Sequence, residues 1–492
     1  AANGGTRILS LWLQDVDHGD ATRQIGTVPS RFGHGLQLTK PRLDALMRRY
    51  TDADGRVDEA ACHEAAGLRE LRPRMSHGGG VLSLLTGSRP APIRMDPRNA
   101  PGSQPTWTPP QPLASLRDEA SVSDIVFVQP PRDALQDSSS GSLGRYVLDG
   151  LAYIVSCAGP GTKRIVVNIS DGSSRGPHDG TWLVTRAMEE MVEAQRRLGR
   201  DLRIVIAAGN SADEERHAQV DAIAPGSTAG VTLRVQPGSE MPTQVVIRLP
   251  ATAAGLSIRV VPPHRRDDAA SVGVVRQGEA RGWPSAEAPE CMVVFPQPAP
   301  GASTIEALAS WAPTERQDPG IPRAMPGDWR IEFASPAGCA EVIHLYVPRS
   351  QTNPGAPRRG RQAVFVDASP GADYDPRRWL RSREDDPVPP LSPIRRNGSL
   401  NALASGAVGK GVEVVGASYQ REATQARYSS RGPTPSLPKA APSRDAPDCL
   451  RPADTSRALR GITVAGSTGG QFVRVTGSSF AAPQRAREIA NS

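Results

Sequence analysis

The segment Arg203-Ile204-Val205-Ile206-Ala207-Ala208-Gly209-Asn210-Ser211 constrains the fold of this chain more than any other. It is a short, continuous, β-branched apolar run that stops at a Gly-Asn turn. A strand of that composition is buried on both faces, and such strands belong to parallel sheets covered by helices. Arg164-Ile165-Val166-Val167-Asn168-Ile169-Ser170-Asp171-Gly172 has the same form, and Asp124–Gln129 reads as a further buried strand. Between these runs, Gly144–Val155 and Thr181–Leu198 carry apolar residues at helical spacing. In the second helix Met188, Met191 and Ala194 share a face, which reads as core packing. Strand–helix alternation of this kind predicts an α/β fold around a parallel sheet.

Chemistry concentrates at the turns. Gly477-Ser478-Ser479-Phe480-Ala481-Ala482-Pro483 sets Ser479 between a small-residue turn and the start of a helix. The first backbone N–H groups of a helix have no intrahelical partners and carry partial positive charge. An attacking alkoxide, or the oxyanion it creates, is stabilised there without a side-chain charge. Met75-Ser76-His77-Gly78-Gly79-Gly80-Val81-Leu82 places an imidazole at the start of another apolar helix, with glycines that permit a tight turn. Asn210 ends the Ile204–Ala208 run, and its amide can donate a hydrogen bond without titrating.

These segments, in this order, resemble those of subtilisin-like serine proteases. Ser-Phe-Ala-Ala-Pro is similar to the family's nucleophile segment, and Ala-Ala-Gly-Asn-Ser to its oxyanion segment. His77-Gly78 resembles its His-Gly-Thr-His-Val segment, with Gly79 and Gly80 in place of the Thr-His pair. Asn168-Ile169-Ser170-Asp171-Gly172 resembles the edge that pairs with substrate backbone, and Tyr428-Ser429-Ser430-Arg431-Gly432-Pro433 resembles the structural Phe-Ser-Ser-Arg-Gly-Pro landmark. The resemblance implies a serine endopeptidase with Ser479 as nucleophile, His77 as general base and Asn210 in the oxyanion hole. Ser170, Asp171 and Gly172 would bind substrate by strand addition. Catalytic residues of this family run Asp, His, Ser along the chain, so the acid falls on the N-terminal strand Thr6–Asp17. The ungapped match places Leu13 at the family's Asp position. Asp15, two residues on, shares its strand face about 6–7 Å further along and is the expected third member, with Asp17 and Asp20 as alternatives.

The 492 residues exceed what a minimal domain of this kind needs. Much of the excess reads as all-β, with candidate strands at 231–236, 243–249, 256–261, 271–276, 292–295, 305–308, 329–333 and 342–347. Their spacing and Pro/Gly punctuation predict a sandwich or jelly roll. Pro326-Gly327-Asp328-Trp329-Arg330-Ile331-Glu332-Phe333 resembles the Gly-x-Trp strand of jelly-roll domains inserted in a bacterial branch that includes the Csp proteases of clostridial spores. Ile8-Leu9-Ser10-Leu11-Trp12 is similar to the first strand of that branch. The expected organisation is a subtilisin-like parallel sheet flanked by helices over residues 1–217 and 397–492. A β-sandwich insertion occupies 218–350 and a Pro- and Arg-rich linker 351–396. Residues 88–120 read as an exposed Pro-rich loop.

Composition excludes several classes. The formal charge of +7 is spread along the chain, and aromatics are only 4% of residues, too few for a base-stacking platform, so no nucleic-acid partner is expected. No apolar run approaches transmembrane length, and the protein is expected to be soluble. Its opening Ala-Ala-Asn-Gly-Gly shows no signal-peptide pattern and no family-type propeptide, and export to an extracellular or periplasmic site is implied by the resemblance alone. Five dispersed cysteines form no zinc pattern, though Cys291 and Cys339 could meet within the β region. Asp367, Asp373 and Asp375 flank a Pro-Gly turn but follow no calcium-loop pattern, so no metal or cofactor is expected. The partner expected is a protein or peptide substrate. Leu13 leaves a second reading open, a catalytically impaired pseudoprotease acting by binding or regulation. A third has the β insertion binding glycans or peptides on a protease scaffold.

Overall fold

The computed structural model describes residues 5–15, 26–68, 75–87, 117–136, 141–253, 255–263, 273–315, 319–320, 322–351, 359–367, 392–406, 411–437, 443–469 and 471–492. The alternative acids Asp17 and Asp20, the pair Asp373 and Asp375, most of loop 88–120 and most of linker 351–396 lie outside these residues.

The fold is mixed α/β. Strands β1 (Ile8–Leu13), β2 (Leu36–Thr39) and β3 (Ile125–Gln129) form one sheet, with β1 central, antiparallel to β2 and parallel to β3. A second sheet is wholly parallel: β4 (Arg164–Ile169), β5 (Asp201–Ala207), β17 (Val412–Tyr419) and β18 (Cys449–Asp454) lie side by side. The continuous apolar runs of β4 and β5 are covered by helices, as their composition requires. Helices α6 (Leu143–Cys157) and α7 (Leu183–Arg197) close one face, with Leu151, Val184, Met188 and Val192 against Ile165, Val167, Ile204 and Ile206. The C-terminal α9 (Ser478–Ala490) closes the other, with Ala481, Ala482, Ala486 and Ile489 against Val205, Val415 and Ala417. Small residues on α9 let its axis approach the sheet closely.

The expected single parallel sheet is divided. Among the described residues no ladder joins β3 to β4, and a cleft opens between them. β3 is the edge strand of the first sheet and β4 that of the second, with β1 held between β2 and β3. The remaining helices are α1 (Lys40–Arg49), α2 (Glu59–Ala65), α3 (His77–Thr86), α4 (Glu119–Val122), α5 (Arg132–Gln136) and α8 (Ala402–Ser405). None of the described helices is long and apolar enough to cross a membrane.

Between β5 and β17 the chain builds two antiparallel sheets. One holds β10 (Val275–Arg276), β9 (Ser257–Val261), β14 (Gly327–Ala334), β7 (Thr228–Val235) and β16 (Val364–Val366) in that order. The other holds β11 (Glu279–Trp283), β12 (Cys291–Phe295), β13 (Thr304–Trp311), β8 (Thr243–Pro250), β15 (Ile343–Tyr346) and β6 (His217–Val220). Alternate residues of both sheets, among them Leu233, Ile247, Phe295, Trp311, Trp329 and Phe333, share one core. Strand β13 shows the period-2 pattern plainly, with Ile305, Ala307, Ala309 and Trp311 inward. Strands β6, β11 and β16 were not expected: polar residues interrupt the apolar pattern of β6 and β11, and β16 is only three residues long. All five cysteines are unpaired.

The β region is clamped to the parallel core by a stack of aromatic rings. Tyr346 of β15 lies between His178 of the β4–α7 loop, 3.9 Å away, and His217 of β6, 4.4 Å away. His217 also bonds His344 at 3.0 Å and the Asn397 carbonyl at 2.7 Å, and His178 bonds the Leu400 carbonyl at 2.6 Å. Beside the stack Arg248 of β8 donates to Asp179 at 2.7 Å, both side chains buried. Burial pushes His178 and His344 down to about 4 and His217 well below its usual value. The nearby charges are Asp179, Asp221, Arg216 and Arg395.

These histidines are neutral when folded but charge readily when unfolded, so the unfolded state binds more protons between about pH 6.5 and 4. Stability is therefore full above pH 6.5 and falls through that window. Urea midpoints measured at stepwise pH should decline across it, and His344→Gln should flatten the decline.

Candidate functional site

The candidate nucleophile is set by a turn that three neighbours hold. Gly477 caps α9 with φ +127° and ψ 152°, a backbone region open only to glycine. A Cβ there would also lie 3.2 Å from the Asn210 amide nitrogen. The Gly477 N–H donates to the Tyr428 hydroxyl at 3.1 Å, and the Ser478 N–H donates to Asn210 Oδ1 at 2.8 Å. The Ser478 hydroxyl is buried against the Gly209 backbone, donating to its carbonyl at 3.1 Å and accepting from its N–H at 3.0 Å.

A fourth tie follows from proline. Pro483 lies inside α9 and has no N–H, so the Ser479 carbonyl four residues earlier loses its helical donor. The Ser170 hydroxyl supplies the missing bond at 2.6 Å, and Asn168 in turn donates to Ser170 at 2.8 Å. The C-terminal ends of β4 and β5 are thereby tied to the first turn of α9. Ser479 is half-buried at the second position of that helix, facing the cleft.

Asn210 is oriented by the same turn. An N–H can be accepted only by the side-chain oxygen, so the bond from Ser478 assigns Oδ1 to the turn. The Nδ2 donor is thereby left for the cleft, which the exposed Asn210 lines.

His77 opens α3. The Ser76 hydroxyl caps this helix by accepting from Gly79 N–H at 3.1 Å. The glycines after His77 are set by close packing. A Cβ at 78 would meet the Phe127 ring at 2.9 Å, and one at 80 would meet Val464 and Phe480 at 3.1 and 3.2 Å. The imidazole packs against the Phe480 ring, which follows Ser479, with centroids 5.2 Å apart. Burial under the cleft walls lowers its pKa, Asp171 opposes that by attraction, and Arg349 reinforces it. Asp171 is raised by desolvation, against the Gly172 N–H at 2.8 Å and the charges of His77 and Arg349. Both side chains are nonetheless exposed along the cleft, so their desolvation by its walls is partial. Among the described residues no hydrogen bond joins His77 to a carboxylate or to the Ser479 hydroxyl.

Asp15, His77, Ser170, Asp171, Gly172, Asn210 and Ser479 all line this one cleft. Asp15, however, is engaged locally: its carboxylate accepts from the Arg132 N–H at 3.1 and 3.2 Å, at the start of α5. Leu13 is buried with Leu11, Leu36 and Leu38, so this face of β1 serves packing. Sequence reading missed Arg216 and Arg349, which the β region brings to the cleft. Arg216 is largely buried, 2.8 Å from Glu214. Arg349 is exposed, and its N–H donates to the Ser174 hydroxyl at 2.8 Å. Each stands in the connection bordering a strand, and no local pattern marks it.

Gly477→Ala is expected to destabilise the chain by about 1–3 kcal/mol, because no side chain tolerates that backbone region. Thermal unfolding checks this, and the variant should also lose order at the first turn of α9.

Comparison with known proteins bears on the fold. No family model matches the chain, and no curated protein matches it in sequence. Among solved structures it is similar to the CspB protease of Clostridium perfringens, with a TM-score of 0.64 and 17% identity over 99% of this chain and 77% of that one. At that identity the likeness establishes a shared fold.

Proposed function

We propose that the chain is a serine endopeptidase. The observation that carries this reading is the gathering of Ser479, His77 and Asn210 at one cleft, with Ser479 at a helix N-terminus. In the proposed reaction Ser479 attacks the scissile carbonyl while His77 removes its proton and later protonates the leaving amine. The Asn210 amide and the Ser479 N–H receive the oxyanion; losing one such donor typically costs about 10²–10³ in kcat. A substrate segment would pair with the edge formed by Ser170, Asp171 and Gly172. The catalytic hydrogen bonds would tighten only when substrate is bound.

For the acid we assign Asp171 the electrostatic part. Its charge acts on His77, whereas the Asp15 carboxylate is taken by the Arg132 N–H. That engagement of Asp15, with Leu13 in the apolar cluster, also favours a second reading, an impaired pseudoprotease that binds without cleaving.

A fluorophosphonate probe separates the two. The wild type should be labelled at Ser479, and Ser479→Ala and His77→Ala should not be. A folded wild type that resists the probe would favour the binding protein.

The pH profile tests the acid. Asp171 raises the His77 pKa, so removing its charge lowers it. His77 must be neutral to act as base, so Asp171→Asn should shift the acidic limb of kcat/KM to lower pH and reduce the maximum. An identical shift in Asp15→Asn, with none in Asp171→Asn, would return the role to Asp15.

A further inference from the structure

Asp454 is a buried carboxylate that the proposed reaction does not use. It is fully buried, and no cation pairs with it among the described residues. Its Oδ1 accepts from the Gly461 N–H at 2.6 Å and lies 2.9 Å from the Thr476 hydroxyl. Its Oδ2 accepts from the Tyr428 hydroxyl at 2.6 Å. Burying a carboxylate against neutral donors alone is costly, so an assembly of this kind needs a reason.

The reason lies on the other side of the Tyr428 oxygen. That oxygen donates its proton to Asp454 and in turn accepts from the Gly477 N–H at 3.1 Å. The Thr476 hydroxyl lies 3.0 Å from it. Asp454 therefore fixes the direction of the Tyr428 O–H and leaves the lone pairs of that oxygen aimed at the turn before Ser479. The landmark that Tyr428 opens reads Phe at this position in the family that the sequence resembles. The hydroxyl that reaches Gly477 is the atom in which this chain differs.

We propose that Tyr428 and Asp454 are positioning residues for the nucleophile turn, Asp454 acting through the Tyr428 hydroxyl on the Gly477 backbone. The inference rests on the reading of Ser479 as nucleophile. Chains of hydrogen bonds to a charged group are stronger than neutral ones. Gly477 has no side chain with which to hold its own conformation. Releasing its N–H frees the turn while leaving Ser479, His77 and Asn210 all present. The burial of Tyr428 and its carboxylate neighbour hold its phenol above the usual range, so the hydroxyl stays protonated and keeps this bond pattern throughout the working pH range.

The test is Tyr428→Phe, which removes one oxygen, beside Ile489→Val, a control that loosens the far end of α9. With the fluorophosphonate probe the maximal labelling rate of Tyr428→Phe should fall by about tenfold to a hundredfold, the scale of a small misplacement of a reacting group. The half-saturating probe concentration should stay unchanged, and Ile489→Val should label like the wild type. A Tyr428→Phe protein that labels at the wild-type rate overturns the proposal. Should Tyr428→Phe fail to fold, Asp454→Asn, which keeps the shape and loses the charge, is read in the same way. If the wild type itself is not labelled, the reading of Ser479 fails separately, and amide exchange decides the positioning role. Faster exchange at Gly477 in Tyr428→Phe but not in Ile489→Val supports it; unchanged exchange overturns it.

Discussion

The hydrogen bond from the Ser170 hydroxyl to the Ser479 carbonyl joins the parts of this molecule that carry the candidate site. It exists because Pro483 withdraws a helical donor, and it binds the end of β4 to the first turn of α9. The Ser478 bonds to Gly209 and Asn210 do the same for the end of β5. Two strand ends and one helix N-terminus are thus made a single rigid unit. Ser170, Asn210 and Ser479 are carried by that unit, and His77 by α3, whose glycines let it settle against Phe127, Val464 and Phe480.

The two antiparallel sheets are more than an appendage to this unit. His178, Tyr346, His217 and His344 interleave rings from the core loop and from β6 and β15 in one stack. The Arg248–Asp179 pair closes it in a buried setting, where the loss of Arg248 would leave the Asp179 charge uncompensated. Because β6 begins only a few residues after Asn210, this clamp also fixes the loop that carries the candidate oxyanion donor. Through Arg216 and Arg349 the same sheets set the charge along the cleft that surrounds His77 and Asp171.

Much of this was legible in the residues. Helices over 143–157 and 183–197 follow from their apolar spacing, and β4 and β5 from their β-branched runs. The strands of the sandwich core that carry regular alternation were readable too. What escaped was short or polar, as in β6, β11 and β16, where no hydrophobic period exceeds the noise of a few residues. The division of the parallel sheet was also hidden, because whether the edges of β3 and β4 meet is decided by packing in space and leaves no local pattern in either strand.

The sequence by itself determined which groups could do chemistry. A serine before small helix-opening residues, a histidine before glycines and an asparagine ending a buried strand are local patterns, and local backbone preferences suffice to create them. Tertiary structure alone decided which charges face those groups. Asp15 meets the start of α5, while Asp171 and Arg349 act on His77. The physical reason is that electrostatic influence depends on distance through space and on the exclusion of water. Neither is encoded by spacing along the chain.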